Sequence, residues 1–356
     1  MNILITSPSL NLNENVSGVA AVTSFIIKSN KQYNYKHFEI GKRDSEKRNL
    51  WWLLKFLSLY LKWFLALIDP KTNFIHYNFP IDKRTVIRDV PLILMARFFR
   101  KKTVVHVHGG EYMHNTNVPG WAKRLLKQVF SGNDTCIFLS EEEKHFITSA
   151  YYCKRSFVLP NAVDIKDALR FERNEQDFKH LKFLFLGRIC EEKGLNFIYD
   201  AFAKLLQQGF QISFTMAGKG PEEEEFVRKF SELLGNNFTF KGVVSGKEKN
   251  DLLKQTNIFL LPSFFEGLPI SLLEAMSYAQ IPIVTDVGAI TKVVTSENNG
   301  LIVETKSAES IVKAITLLNS GETGLINMSK NARETIFNKF SPKIYIESLN
   351  KIYQSV

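Results

Sequence analysis

One pattern recurs along this chain and confines it to a single fold class: a short apolar run, a turn, then a helix-forming segment. It is plain at Asn2-Ile-Leu-Ile-Thr6, Lys102-Thr-Val-Val-His-Val107, Phe183-Leu-Phe-Leu186, Ile258-Phe-Leu-Leu261 and Ile281-Pro-Ile-Val-Thr285. Near-continuous apolar strands separated by helices belong in parallel sheets, covered on both faces and joined by right-handed crossovers. A length of 356 residues allows two such units. The expectation is therefore α/β: two Rossmann-like parallel-sheet domains facing an interdomain cleft. Their boundaries are expected at 1–165 and 181–340, joined by the polar segment 166–180 and followed by a last helix over 341–356.

The stretch richest in chemistry is Pro262-Ser-Phe-Phe-Glu266-Gly-Leu-Pro-Ile-Ser-Leu-Leu-Glu274-Ala-Met. It leaves the carboxyl end of a buried strand, where open parallel sheets bind ligands, and enters a helix. Pro269 suits the first helical turn, because its missing N–H would have no intrahelical partner there. The amides of Gly267, Leu268 and Ile270 then sit at a helix start, which attracts phosphate or sugar oxygens. Glu266 and Glu274 frame that pocket. Carboxylates repel phosphate but accept hydrogen bonds from hydroxyls, so the pair points to a sugar nucleotide. The plainer alternative is a capping box, Ser271-Leu-Leu-Glu274, in which Glu274 only satisfies backbone donors.

Glu266-x7-Glu274 in this setting resembles the signature of the retaining GT-B glycosyltransferases, specifically glycosyltransferase family 4. The resemblance implies that Glu266, with the backbone of Gly267, Leu268 and Pro269, contacts the donor sugar, and that Glu274 holds the ribose diol. It runs over essentially the whole chain, strongest from 183 to 290 and weakest before residue 100. Residues 187–194, Gly187-Arg188-Ile-Cys-Glu-Glu-Lys193-Gly194, form a glycine turn with two cations after a buried strand. Alone, that turn is either a diphosphate cradle or an ordinary Rossmann turn with solvated charges. Its G-R-x4-K-G spacing is similar to the family's diphosphate motif, which makes Arg188 and Lys193 the leaving-group contacts.

His106 and His108 share one strand face, and His108 is the last residue before Gly109-Gly110. A strand histidine is more often structural. The resemblance instead sets His108 beside the sugar's reactive carbon, leaves His106 to the core, and turns Glu111 toward the acceptor. Gly18, after the first strand, would let backbone approach a phosphate, or simply make a tight turn. The family usually carries paired glycines there, and here Ser17 occupies the first position. Pro160-Asn-Ala-Val-Asp164 resembles the family's hinge, and in relatives the final helix crosses back to the first domain.

Charge is unevenly spread. Residues 1–165 hold 23 Lys and Arg against 13 Asp and Glu, whereas residues 166–356 hold 23 of each. A basic first half points to an anionic partner. No nucleic-acid-binding pattern accompanies it, so a membrane surface is the expected partner. Residues 48–68 are the most apolar in the chain, with Arg48, Lys55 and Lys62 recurring every seven positions. Two mid-segment lysines speak against a spanning helix. A helix packed on the sheet with an exposed basic edge, or one lying in a membrane interface, remains, and both can hold at once. Cys136, Cys153 and Cys190 form no C-x-x-C pair, which argues for a reducing compartment and against a zinc site. The N-terminus carries no basic n-region, so no signal peptide is expected. The expected location is cytoplasmic, peripheral on the inner face of the plasma membrane.

No Asp-x-Asp pair occurs, and no metal or other cofactor is expected. The resemblance implies a metal-independent retaining hexosyltransferase. It would take a nucleoside-diphosphate sugar, UDP-sugar favoured, and a glycan or glycolipid acceptor such as a lipid-linked, lipopolysaccharide or capsule precursor. Glu266, Arg188, Lys193 and His108 would carry the chemistry. Gly18, Gly187, Gly267, Leu268, Pro269 and Glu274 would complete the donor site. Two rivals stand beside this: a sugar-nucleotide epimerase of the GT-B type, and a catalytically silent sugar-nucleotide or membrane-binding subunit.

Overall fold

A computed structural model describes the chain except residues 16, 42, 44–49, 114–116 and 322–323, with side chains undescribed over 50–56. Arg48 and the Lys55 side chain therefore lie outside the described residues. The chain divides into two compact units, Met1–Asn161 with Lys343–Val356, and Ala162–Pro342.

In the first unit β1 (Asn2–Ser7), α1 (Gly18–Ser29), β2 (Asn34–Glu39), α2 (Leu50–Ile68), β3 (Phe74–Phe79) and α3 (Lys83–Phe98) follow in turn. They lead on to β4 (Lys102–Val107), α4 (Gly120–Phe130), β5 (Thr135–Phe138), α5 (Glu141–Tyr151) and β6 (Ser156–Val158). The strands form one parallel sheet in the order β2-β1-β3-β4-β5-β6. Strand alternation divides the side chains between its faces. Ile75, Tyr77, Phe79, Val105, Val107 and Phe138 belong to a core that also takes Trp63, Ala66 and Leu67 from α2. The Trp63 indole N–H donates to the Leu92 carbonyl at 2.9 Å, so the largest side chain in this core is also satisfied. Truncating such a residue typically costs about 3–5 kcal/mol. The outer face of α2 is unlike a solvated helix: Leu57, Leu61, Phe64, Leu65 and Ile68 are exposed. Lys62 is exposed beside them, and it is the one residue of the expected basic edge whose side chain is described.

The second unit runs β7 (Lys182–Leu186), α6 (Leu195–Gln207), β8 (Ser213–Ala217), α7 (Glu223–Leu234), β9 (Phe238–Phe240), α8 (Gly246–Gln255) and β10 (Ile258–Leu261). After these come α9 (Ile270–Ser277), β11 (Ile281–Thr285), β12 (Leu301–Val303), α10 (Ala308–Asn319) and α11 (Leu325–Lys339). Its parallel sheet has the order β12-β11-β10-β7-β8-β9. The chain thus builds outward from β7 on one side and from β10 on the other. A cluster of phenylalanines fills the layer under α6 and α7, with the Phe214 and Phe230 rings tilted at 57° and their centroids 4.8 Å apart. The segment 166–180, expected as a linker, clusters with this unit. Arg173 is buried, donating from Nε to the Tyr278 carbonyl at 3.0 Å and from Nη2 to the Leu253 carbonyl at 2.9 Å.

The last helix, α12 (Pro342–Gln354), packs from Lys343 onward in the first unit. Tyr345 meets Phe25 of α1 edge-on at 5.5 Å, and Asn30 donates to Asn350 at 2.7 Å. Tyr353 reaches the sheet face opposite Trp63, where its hydroxyl lies 2.6 Å from His76 Nδ1.

Candidate active site

The strand order of the second sheet reverses between β7 and β10, and open sheets bind ligands beyond the strand carboxyl ends at such a point. Both expected donor segments leave the sheet there, Gly187 to Gly194 after β7 and Pro262 to Pro269 after β10. They meet. Lys193 Nζ donates to Glu266 Oε1 at 2.5 Å, and Ser263 Oγ donates to the same oxygen at 2.7 Å. The two charged side chains are only 21% and 10% exposed. A partly buried pair of this kind fixes geometry more surely than it adds stability.

The Glu266 loop is tied on both flanks. Phe264 N–H donates to the Glu192 carbonyl at 2.8 Å, and Ala289 N–H to the Gly267 carbonyl at 2.8 Å. Thr285 Oγ1 donates to the Ser263 carbonyl at 2.6 Å. Two glycines make these approaches possible. At Gly194 (φ +76°) a Cβ would sit 2.2 Å from the Pro262 carbonyl oxygen, and at Gly288 (φ +59°) one would sit 2.2 Å from that of Glu266. Gly187 carries no such demand, since a Cβ there meets only the Phe185 ring at 3.7 Å.

Pro269 is the N-cap of α9, one residue earlier than its expected place in the first helical turn. Ser271 is then inside the helix and cannot cap it, which disposes of the capping-box alternative. The Glu274 carboxylate instead accepts from Lys249 Nζ of α8 at 2.6 Å. Leu268 is buried, whereas Arg188 is exposed just after β7.

At the corresponding edge of the first sheet, polar side chains are neutral and linked. Asn78 Nδ2 donates to the Thr6 carbonyl at 2.7 Å and to Thr23 Oγ1 at 2.9 Å. Its Oδ1 must therefore be the acceptor facing His108 Nε2 at 2.6 Å, which puts a proton on that nitrogen. Nδ1 of His108 makes no hydrogen bond among the described residues. Burial, and then the neighbouring His76, lower the His108 pKa to about 3. His106 is fully buried, its Nδ1 lies 3.2 Å from His76 Nε2, and its ring stands 4.2 Å from that of His108. Burial likewise holds His76 down to about 3. Glu111 is exposed on the loop after Gly110, and Gly18 is the first residue of α1, whose N-cap Ser17 accepts from Ala20 N–H.

Residues 167–335 match the family described as Glycosyl transferases group 1. The chain is 24% identical to the capsular polysaccharide biosynthesis glycosyltransferase CapM of Staphylococcus aureus, over 62% of this chain and 61% of that one. It is 25% identical to the N,N'-diacetylbacillosaminyl-diphospho-undecaprenol alpha-1,3-N-acetylgalactosaminyltransferase of Campylobacter jejuni, over 65% and 63% of the respective lengths. The matched stretch thus spans less than two thirds of each relative. Anabaena HepE, crystallised with UDP-glucose, superposes over 100% of both chains with a TM-score of 0.75 at 15% identity. The fold is GT-B. The family match covers just under half of the chain, and the GT-B likeness covers all of it.

Three residues in this GT-B chain escaped the sequence reading. Ser263 was in view, three positions before Glu266 in Pro-Ser-Phe-Phe-Glu. Asn78 was legible in principle, because it alternates with His76 on β3 and pairs in register with His106 of β4, two residues before His108. Lys249 gave no local signal, since it arrives on α8 from 25 positions before Glu274.

Proposed function

We propose that the protein is a retaining glycosyltransferase of family 4 that moves a hexose or hexosamine from a UDP-sugar to a glycan acceptor. One observation carries the reading: at the β7/β10 switch point a single ammonium, Lys193, sits 2.5 Å from a carboxylate suited to sugar hydroxyls and within the turn suited to a diphosphate. Glu266 then orients the sugar and Glu274 the ribose diol, while Arg188 and Lys193 neutralise the departing phosphate. Charge grows on that phosphate as the bond to the anomeric carbon breaks, and fixed cations there lower the barrier. The acceptor oxygen bonds to the same face of the carbon, and its proton passes to the phosphate oxygen that leaves. No protein base and no metal take part in this scheme, and His108 supplies a neutral contact near the reacting carbon.

UDP is favoured because HepE binds UDP-glucose on the same fold. A lipid-linked or capsule-type acceptor is favoured because the relatives' names include a diphospho-undecaprenol transferase and a capsule enzyme. Such acceptors place the protein at the cytoplasmic membrane face, in contact with anionic lipid. The test is a panel of sugar nucleotides incubated with the purified chain and an excess of EDTA. Slow release of UDP from one donor, unchanged by EDTA, is the expected result, and a strict Mg²⁺ or Mn²⁺ requirement contradicts it. Hydrolysis to free nucleotide and sugar that no acceptor ever diverts would favour the epimerase, and no turnover at all would favour the silent subunit.

A further inference from the structure

We infer that the outer face of α2 is a docking surface for an anionic lipid bilayer, on which the helix lies flat. A helix that faces water normally turns charged and polar residues outward. This one is apolar on both sides, burying Trp63, Ala66 and Leu67 while exposing Leu57, Leu61, Phe64, Leu65 and Ile68. Those five recur at spacings of four, three, one and three, which keeps them on one stripe of the helix. The patch continues onto the end of α3. Phe64 meets Phe99 edge-on at 5.6 Å, Phe99 meets Phe98 at 5.5 Å, and Phe98 is 82% exposed.

Charge selects the occupant. From Leu57 to Lys102 the chain carries nine Lys and Arg against three Asp. Each of the three acids is engaged. Asp89 pairs with Arg88, Asp82 caps α3, and Asp69 lies 3.9 Å from Lys36. Lys62, Lys71, Arg100 and Lys102 are exposed around the stripe. Apolar side chains ringed by cations suit the boundary between acyl chains and anionic headgroups, where long basic side chains extend to the phosphates. A second copy of the chain is a poorer occupant, because a twofold contact on this stripe would bring the same basic surface against itself. Trp63, Ala66 and Leu67 of the same helix pack into the sheet core, so a bilayer can meet the helix along its outer face only.

The inference deepens the reading of a membrane-borne acceptor, yet it is tested without donor or acceptor, so either can fail alone. The full-length chain is floated with vesicles of 70% phosphatidylcholine and 30% phosphatidylglycerol, and with phosphatidylcholine alone. The expected result is anionic-vesicle binding that weakens at least tenfold in 0.5 M NaCl and at least tenfold in Leu61→Ser/Leu65→Ser. A second variant, Phe98→Ser, guards against misfolding, and circular dichroism melts check both. Equal flotation of the folded variants and the wild type overturns the proposal, as does failure of the wild type to bind. So does a wild-type dimer that the double variant converts to monomer while vesicles capture neither.

Discussion

The two sheets treat their ligand-facing edges in opposite ways. Beyond β7 and β10 the groups are ionic, with Glu266 on Lys193 and Glu274 on Lys249. Beyond β3 and β4 they are neutral, with His108 on Asn78 and the histidines held uncharged by burial. On the function proposed above, the ionic edge is the one that manages developing phosphate charge, and the neutral edge is the one that supplies uncharged contacts. Its sharpest test lies on the ionic side. Glu266→Ala and Arg188→Ala are each expected to lower kcat by about 10²–10³, the scale on which a fixed electrostatic contact to a transition state acts. Near-normal rates in both would remove the charged edge from the chemistry.

Carboxylates draw the same contrast away from the site. Glu266 and Glu274 each hold a lysine, but Glu143 of the first unit is fully buried and pairs with no cation among the described residues. Its Oε2 accepts from the Leu139 N–H at 2.9 Å, and its Oε1 has no partner among the described residues. Burial, more than the adjacent Glu142, pushes its pKa to about 7. A carboxyl raised in the folded state favours folding below its unfolded pKa, and that contribution is lost as pH rises through 7. Glu143→Gln, neutral throughout, is therefore expected to be more stable than the wild type by about 2–3 kcal/mol at pH 8. The gap should shrink as pH falls from 7 toward 4.5. Urea melts at both ends of that range read it directly, and a gap independent of pH would mean the carboxyl is not protonated on folding.

What could be read from the residues themselves followed the range of the interactions. Strand and helix alternation, the Lys193 turn and the Glu266 loop are local, because each motif lies on one strand end and the sheet topology alone brings the two together. Lys249 and Asn78 act on residues 25 and 30 positions away, and only packing reveals them. β2 was missed because Asn34-Tyr-Lys-His-Phe-Glu39 is a polar edge strand paired on one side only. The face that α2 leaves uncovered was equally hidden, since an apolar segment does not announce which of its sides a sheet will cover.

The neutral edge can be broken with one oxygen for one nitrogen. Asn78→Asp replaces the amide whose Oδ1 faces His108 with a carboxylate 2.6 Å from Nε2. An adjacent negative charge favours imidazolium and so raises the histidine's pKa from about 3. Activity should then fall as pH drops through the new value, giving an acid limb between pH 5 and 8 and a loss of roughly tenfold at its lower end. Asn78→Ala removes the anchor without adding charge, so it should lower kcat with no new limb. Thermal melts on both variants separate this from lost stability, because the introduced carboxylate would also face the Thr6 carbonyl to which Asn78 now donates. A profile for Asn78→Asp as flat as that of the wild type would mean the charge of His108 is of no consequence to the reaction, and the two edges would then differ in composition without differing in work.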